Sequence, residues 1–183
     1  MWLVSPSPEA TQAAGRLLGE VLREQPDAGV VALVGELGAG KTAFAKGLAA
    51  GLGIDPRAIA SPTFTLVHEH ATPDGRRLAH VDCYRLRSAA ELEAAGFLDL
   101  LAPGVVTVVE WGDRFPDALP ADHLRIELAR VAGRDSQRRL SAVASGPSAA
   151  AWLERWHLAL RRRAAESDAQ SNASSERVPD GTA

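Results

Sequence analysis

Several residue types are scarce in this sequence, and each scarcity excludes something. A single cysteine, Cys83, occurs in 183 residues. No internal disulfide and no cysteine-based zinc site can form, and a reducing compartment is expected. Of 20 basic residues only Lys41 and Lys46 are lysines; the rest are arginines. Where either cation suffices this chain uses arginine, so a lysine marks a position that wants a slim point charge. Asparagine occurs once, at Asn172. An N-K-x-D guanine reader therefore cannot be built, which excludes a GTPase of the usual kind and favours adenine. No apolar run approaches the roughly 18 residues of a membrane span. The opening MWLVSPSPEA has neither the basic nor the apolar region of a signal peptide. A cytoplasmic protein without membrane contact is expected. The formal net charge is −3, which argues against tight, nonspecific nucleic-acid binding by bulk charge.

What is present is ordinary globular composition, with 46% hydrophobic and 23% charged residues, long enough to build one core without staples. Ser7-Pro8-Glu9 reads as an N-cap, a proline at the first helical position and an acid in the first turn. The resulting helix carries Leu17, Leu18, Val21 and Leu22 to about Glu24. Gly29–Val34 is a short, β-branched apolar run, suited to a strand buried on both faces. A helix is expected over residues 41–52, with strands over 64–68, 78–84 and 105–110. Ser88 and Glu91 form a capping box. Residues 124–128 and 139–143 alternate as an edge hairpin would. Ser148 is the expected cap of a last helix carrying Trp152, Trp156 and Leu160. The organisation expected is a body over 1–147, a C-terminal helix over 148–163 and a disordered tail over 164–183.

Gly35-Glu36-Leu37-Gly38-Ala39-Gly40-Lys41-Thr42 satisfies G-x-x-x-x-G-K-[ST], between a buried-strand run and a helical one. The glycines let backbone N–H groups wrap a polyphosphate, and the helix that follows adds its positive end. Lys41 reaches the outer phosphates and the Thr42 hydroxyl reaches Mg²⁺. Gly38, Ala39, Gly40, Lys41, Thr42 and Ala43 are the nucleotide-binding candidates of this segment. The fold class follows: an α/β, phosphate-loop NTPase-type three-layer fold. Its sheet is mostly parallel with helices on both faces and an antiparallel edge hairpin.

Two acids end apolar strands, Asp82 after Ala79-His80-Val81 and Glu110 after VVTVV. Carboxyl ends of parallel strands line the ligand crevice. Either acid suits Mg²⁺, and the spacing does not separate the metal ligand from the group that positions water. Ser61-Pro62-Thr63 reads either as a switch element on the terminal phosphate or as a plain turn. Arg85 suits a phosphate, a partner or a surface ion pair. The five histidines show no ligand spacing and are read as surface or satisfied core residues. Arg161-Arg162-Arg163 reads as a solvated helix end.

The blocks GELGAGKT, SPTFTLVHE, HVDCYRL, Gly96-Phe97-Leu98 and VVEWGDRF resemble, in this order, the bacterial TsaE (YjeE) ATPases. The resemblance covers roughly residues 5–145. It implies an ATP-binding protein with weak intrinsic hydrolysis that uses Mg²⁺ and works with TsaB and TsaD. Those partners place a threonylcarbamoyl group on the adenosine beside the tRNA anticodon; this chain would meet tRNA only through them. By the resemblance Thr42 and Glu110 hold Mg²⁺, Asp82 is the Walker-B-like acid and Thr63 the switch-like threonine. Lys41, Asp82, Glu110 and Thr63 form the catalytic set. Trp111 sits beside the nucleotide, Thr11 near the adenine and Arg139 near the base, after a longer loop than the family carries. Ala43 stands where a second threonine is common. The competing reading is a small-molecule kinase on the same fold. That requires a mobile arginine-bearing lid, and no such segment stands between the Asp82 and Glu110 strands.

Overall fold

The computed structural model describes residues 1–25, 27 and 29–175. Seven strands form one sheet in the order β1-β7-β6-β2-β5-β4-β3. They are β1 (Trp2–Ser5), β2 (Gly29–Val34), β3 (Val67–Ala71), β4 (Arg77–Asp82), β5 (Val105–Glu110), β6 (His123–Val131) and β7 (Arg134–Ser145). The central strands β6, β2, β5 and β4 run parallel. β3, β7 and β1 add antiparallel pairs at the two edges. Every residue of β2 and β5 is buried, as continuous apolar runs covered on both faces require.

On one face lie α1 (Pro8–Arg23), α2 (Lys41–Gly51) and α4 (Pro147–Ser175), closing a core around Leu18, Phe44, Leu48 and Trp156. On the other, α3 (Ala89–Ala94) and a 3-10 turn over Phe97–Leu101 cover Val81 and Val109 with Leu92, Phe97 and Leu100. Ser7 caps α1 as expected, accepting from the Ala10 N–H at 3.2 Å. Ser88 caps α3 in the same way.

The crossing of α1 over α2 is closer than side chains allow. A Cβ at Gly15 would stand 2.2 Å from the Phe44 carbonyl oxygen, one at Gly19 2.1 Å from that of Leu48, and one at Gly47 1.9 Å from that of Gln12. Two G-x-x-x-G pairs, Gly15/Gly19 and Gly47/Gly51, thus let the helix backbones touch. This contact sets the position of α2, and with it Lys41 and Thr42. The spacing is legible in the sequence, but its use in a soluble helix pair was not anticipated.

Four boundaries differ from expectation. The strand expected over 64–68 begins at Val67, because residues 62–66 turn back on the Pro62 carbonyl, which accepts from Thr65 N at 3.0 Å and Leu66 N at 2.7 Å. The strand expected to reach Tyr84 stops at Asp82, whose carboxylate accepts from the Tyr84 N–H at 2.9 Å and bends the chain. α4 is capped not by Ser148 but by Asp122, which accepts from Ser148 N at 3.0 Å and Ala149 N at 2.9 Å. The same helix does not end near Ala164. It continues to Ser175 through a stretch with neither glycine nor proline, its side chains over 161–169 exposed. The rest of the expected tail, 176–183, lies outside the described residues. β1 was not anticipated; it pairs with β7 at the sheet edge.

α4 is tied to the body by Trp156. Its indole N–H donates to the Ala14 carbonyl at 2.9 Å, and its ring meets Phe44 edge-on at 5.8 Å. Burial and a satisfied N–H are what a core tryptophan needs.

Candidate nucleotide and metal site

Parallel pairing brings the carboxyl ends of β2, β5 and β4 to one edge of the sheet. Leu33 and Asp82 each stand in register with Glu110. The loop that leaves β2 therefore opens beside both acids.

The loop backbone depends on glycine. Gly40, the N-cap of α2, has φ 104° and ψ 15°, a left-handed conformation costly to other residues. At Gly35 a Cβ would stand 2.2 Å from the Leu128 carbonyl oxygen, so the loop lies directly on β6. α2 starts at Lys41 without a side-chain cap, and its first N–H groups open into the loop.

Lys41 is only 4% exposed. Its ammonium donates to the carbonyls of Gly35 at 2.6 Å and Glu36 at 3.0 Å, and stands 3.7 Å from the centroid of the Trp111 ring. Burial draws its pKa below the ordinary lysine value, against the opposing pull of Glu110, Asp82 and Asp113. Trp111 holds a left-handed φ of 60° directly after β5, which is uncommon for a bulky residue and is found at sites that fix a side chain. The Tyr84 ring packs on it at 5.0 Å.

The two acids keep separate company. Glu110, 3% exposed, accepts from the Thr42 hydroxyl at 2.9 and 3.1 Å, and His80 Nε2 lies 2.9 Å from its Oε1. Asp82 accepts from the hydroxyls of Ser61 at 2.8 Å and Thr63 at 2.6 Å. The turn over 61–66 is thus anchored to the strand end by its two hydroxyls, and Thr63 is a member of the site. Lys41, Thr42, Ser61, Thr63, Asp82 and Glu110, with Trp111, line one cleft of about 400 Å³.

Beyond Gly38 and Gly40 lies a second cavity of about 220 Å³, lined by Pro8, Thr11, Ala43, Ser136 and Arg138. Thr11 and Ala43, both named by the sequence, line this one cavity. Ala39 is buried, and its carbonyl accepts from Arg138 Nε at 3.0 Å. Arg139 is a correction. It is exposed and shares the face opposite to buried Leu140 and Ala142, because neighbours on a strand point to opposite sides. Arg138, one position earlier, is the β7 arginine at the loop; alternation with Leu140 was the signal that would have chosen it. Arg85 lies over the Phe64 ring at 4.1 Å, and Arg161, Arg162 and Arg163 are exposed on α4, far along the chain from the loop. His80 was missed as a site residue, although its place two positions before Asp82 puts both on one face of β4. Cys83 is buried, and burial pushes its thiol up to about 12, so it is inert.

A family model described as "Threonylcarbamoyl adenosine biosynthesis protein TsaE" matches residues 5–140. The chain belongs to the TsaE family. It is 38% identical over 145 residues to the tRNA threonylcarbamoyladenosine biosynthesis protein TsaE of Streptomyces coelicolor, covering 78% of this chain and 90% of that one. The protein of the same name from Treponema pallidum is 41% identical over 144 residues, covering 78% of this chain and all of that one. The crystal structure of Bacillus subtilis YdiB superposes with a TM-score of 0.65 at 30% identity, over 86% of this chain and 93% of that one. The α/β fold expected from the sequence, a mostly parallel sheet with helices on both faces and an antiparallel edge hairpin, is the observed one, with a second antiparallel edge at β3. The matched span ends before α4, so the TsaE family relationship rests on the body that carries the cleft. No helix among the described residues is long and apolar enough to cross a membrane.

Proposed function

We propose that this chain is the ATP-binding accessory protein of tRNA threonylcarbamoyladenosine formation. In this reading it hydrolyses ATP weakly in the cytoplasm, acts on a TsaB–TsaD complex, and leaves the threonylcarbamoyl transfer to those partners. The observation that carries the nucleotide reading is the convergence of Lys41, Thr42 and Glu110 on one cleft at the mouth of the glycine loop. The donor set fits the group. Loop N–H groups and an ammonium suit a polyphosphate, and a hydroxyl beside two carboxylates suits Mg²⁺, which takes oxygen ligands.

Thr42 and Glu110 would hold the cation, since they already share a hydrogen bond. The cation would neutralise charge on the phosphates. Lys41 would bind the outer phosphates, for which it would give up its two carbonyl partners. Asp82 holds Ser61 and Thr63 in place, which positions a threonine hydroxyl where a terminal phosphate or a water would be sensed. Thr11 and Ala43, in the adjoining cavity, lie where an adenine would lodge. Trp111 lines the cleft and backs Lys41.

The kinase alternative gains no support. The connection between β4 and β5 packs on the sheet through Leu92, Phe97 and Leu100, and its Arg85 lies on Phe64. A pulldown from native cytoplasm with and without ATP tests the proposal. Nucleotide-dependent recovery of the TsaB–TsaD pair is expected, and their absence under both conditions would contradict it.

A further inference from the structure

His80 has no role in the proposed function, yet it is among the most deeply enclosed polar side chains at the site. It is 1% exposed, on a strand in the sheet interior. β4 and β5 pair in register, Asp82 opposite Glu110 and His80 opposite Val108. His80 therefore reaches Glu110 along the diagonal between neighbouring strands. Its Nε2 lies 2.9 Å from Glu110 Oε1.

The chemistry of the pair fixes which nitrogen carries the proton. An ionised carboxylate only accepts, so the contact requires an Nε2–H donor. His80 Nδ1 is buried and has no hydrogen-bond partner among the described residues. Moving the proton to Nδ1 would set two lone pairs against each other at Glu110 and bury an unpaired N–H. The Nε2–H tautomer avoids both costs.

Thr42 offers Glu110 one hydroxyl proton that faces both oxygens, at 2.9 and 3.1 Å, so it scarcely distinguishes Oε1 from Oε2. We infer that His80 is a positioning residue: its imidazole clamps Oε1 of Glu110, fixes the plane of the carboxylate and leaves Oε2 as the oxygen offered to a cation. This rests on the proposed reading of Glu110 as a metal-holding acid. Hydrogen bonds from outside groups orient ligating carboxylates in this way, and their loss typically weakens metal binding by about 10–100-fold.

Three variants separate clamping from packing. A glutamine amide nitrogen falls near the place of His Nε2, whereas an asparagine amide reaches only as far as Nδ1. His80→Gln should therefore retain the clamp, and His80→Asn and His80→Phe should lose it. The readout is the Mg²⁺ concentration that half-saturates ATP binding, followed by calorimetry, with Mg²⁺-free ATP affinity measured beside it. His80→Asn and His80→Phe should raise the Mg²⁺ midpoint about tenfold or more while Mg²⁺-free affinity stays near wild type. His80→Gln should stay close to the wild-type midpoint. If His80→Phe does not fold, the Gln and Asn pair alone decides. A His80→Gln midpoint no better than that of His80→Asn, in folded proteins, would overturn the inference.

A second arm needs no nucleotide. Imidazole ¹⁵N spectroscopy of the full chain should find His80 as the Nε2–H tautomer, with that N–H resonance displaced by Glu110→Gln. An Nδ1–H tautomer, or a resonance blind to Glu110→Gln, would overturn the inference. Wild-type ATP binding that ignores Mg²⁺ would instead count against the nucleotide-and-metal reading, and the spectrum would still decide the clamp.

Discussion

Thr42 and Glu110, sixty-eight positions apart, share a hydrogen bond in which one hydroxyl faces both carboxylate oxygens. It joins the end of the phosphate loop to the end of the neighbouring parallel strand. Its consequence is a division of labour. Under the proposed reading, the loop and Lys41 would grip the ground-state polyphosphate, while Glu110 would act through the cation, where charge shifts during hydrolysis. Glu110→Gln keeps the shape and removes the charge. It should lower turnover about 100-fold or more, as losing one well-aimed electrostatic group does, and change ATP affinity far less. Steady-state hydrolysis and calorimetry on the same preparation measure both. Asp82→Asn is the comparison, since Asp82 holds the Ser61–Thr63 turn rather than Thr42.

Lys41→Ala removes the one ammonium that faces the cleft. Charge-assisted hydrogen bonds contribute about 1.5–3 kcal/mol each, so ATP affinity should fall roughly 10–100-fold or beyond measurement. Calorimetry with ATP and Mg²⁺ tests this, and unchanged affinity would remove the phosphate-loop reading.

The glycine crossing of α1 and α2 makes a stability prediction. Gly47→Ala would place a methyl 1.9 Å from the Gln12 carbonyl oxygen, against backbone that has nowhere to go. Although alanine favours a helix by about 1 kcal/mol over glycine, overpacking at this contact should outweigh that gain with a net loss of about 1–3 kcal/mol. Thermal or urea unfolding would measure it. Stabilisation would show that the two helices can part at little cost.

Asp122, in the bend just before β6, caps α4. Asp122→Ala should cost about 1 kcal/mol. Burial pushes the Asp122 carboxyl up, but hydrogen bonds from Ala149 and Ser148 outweigh it and hold the group below 3.8. A carboxyl lowered on folding adds stability that is full above its unfolded value and lost as pH falls through the folded one. The gap in melting temperature between wild type and Asp122→Ala should therefore be constant at neutral pH and close below about pH 4.

Deleting residues 165–183 should leave folding and ATP affinity intact. The described side chains of α4 over 161–169 are exposed, while Trp152 and Trp156, which join the core, remain. A melting temperature lowered by many degrees would show that the distal helix packs.

The strands that matter most to the site were legible because they are buried on both faces. Gly29–Val34 and Val105–Glu110 were read with their observed bounds. The glycine loop was legible as the link from β2 to α2 because its glycines and lysine carry a recognisable spacing between a buried-strand run and a helical one. Residues whose role depends on a partner far along the chain were not. His80 gains its meaning from Glu110 through strand pairing, Asp122 from α4, and Gly47 from Gln12. Arg139 was misplaced by one position, which on a strand is the difference between two faces.

The central claim is that this cleft drives tRNA threonylcarbamoylation through ATP. It is tested most directly in a reconstituted system of TsaB, TsaD, tRNA, threonylcarbamoyl donor and ATP, counting modified adenosines per partner complex. The account predicts repeated rounds of modification with the wild-type chain, and near-background product with Lys41→Ala or without the chain. Equal product from wild type, Lys41→Ala and the omission control would contradict it.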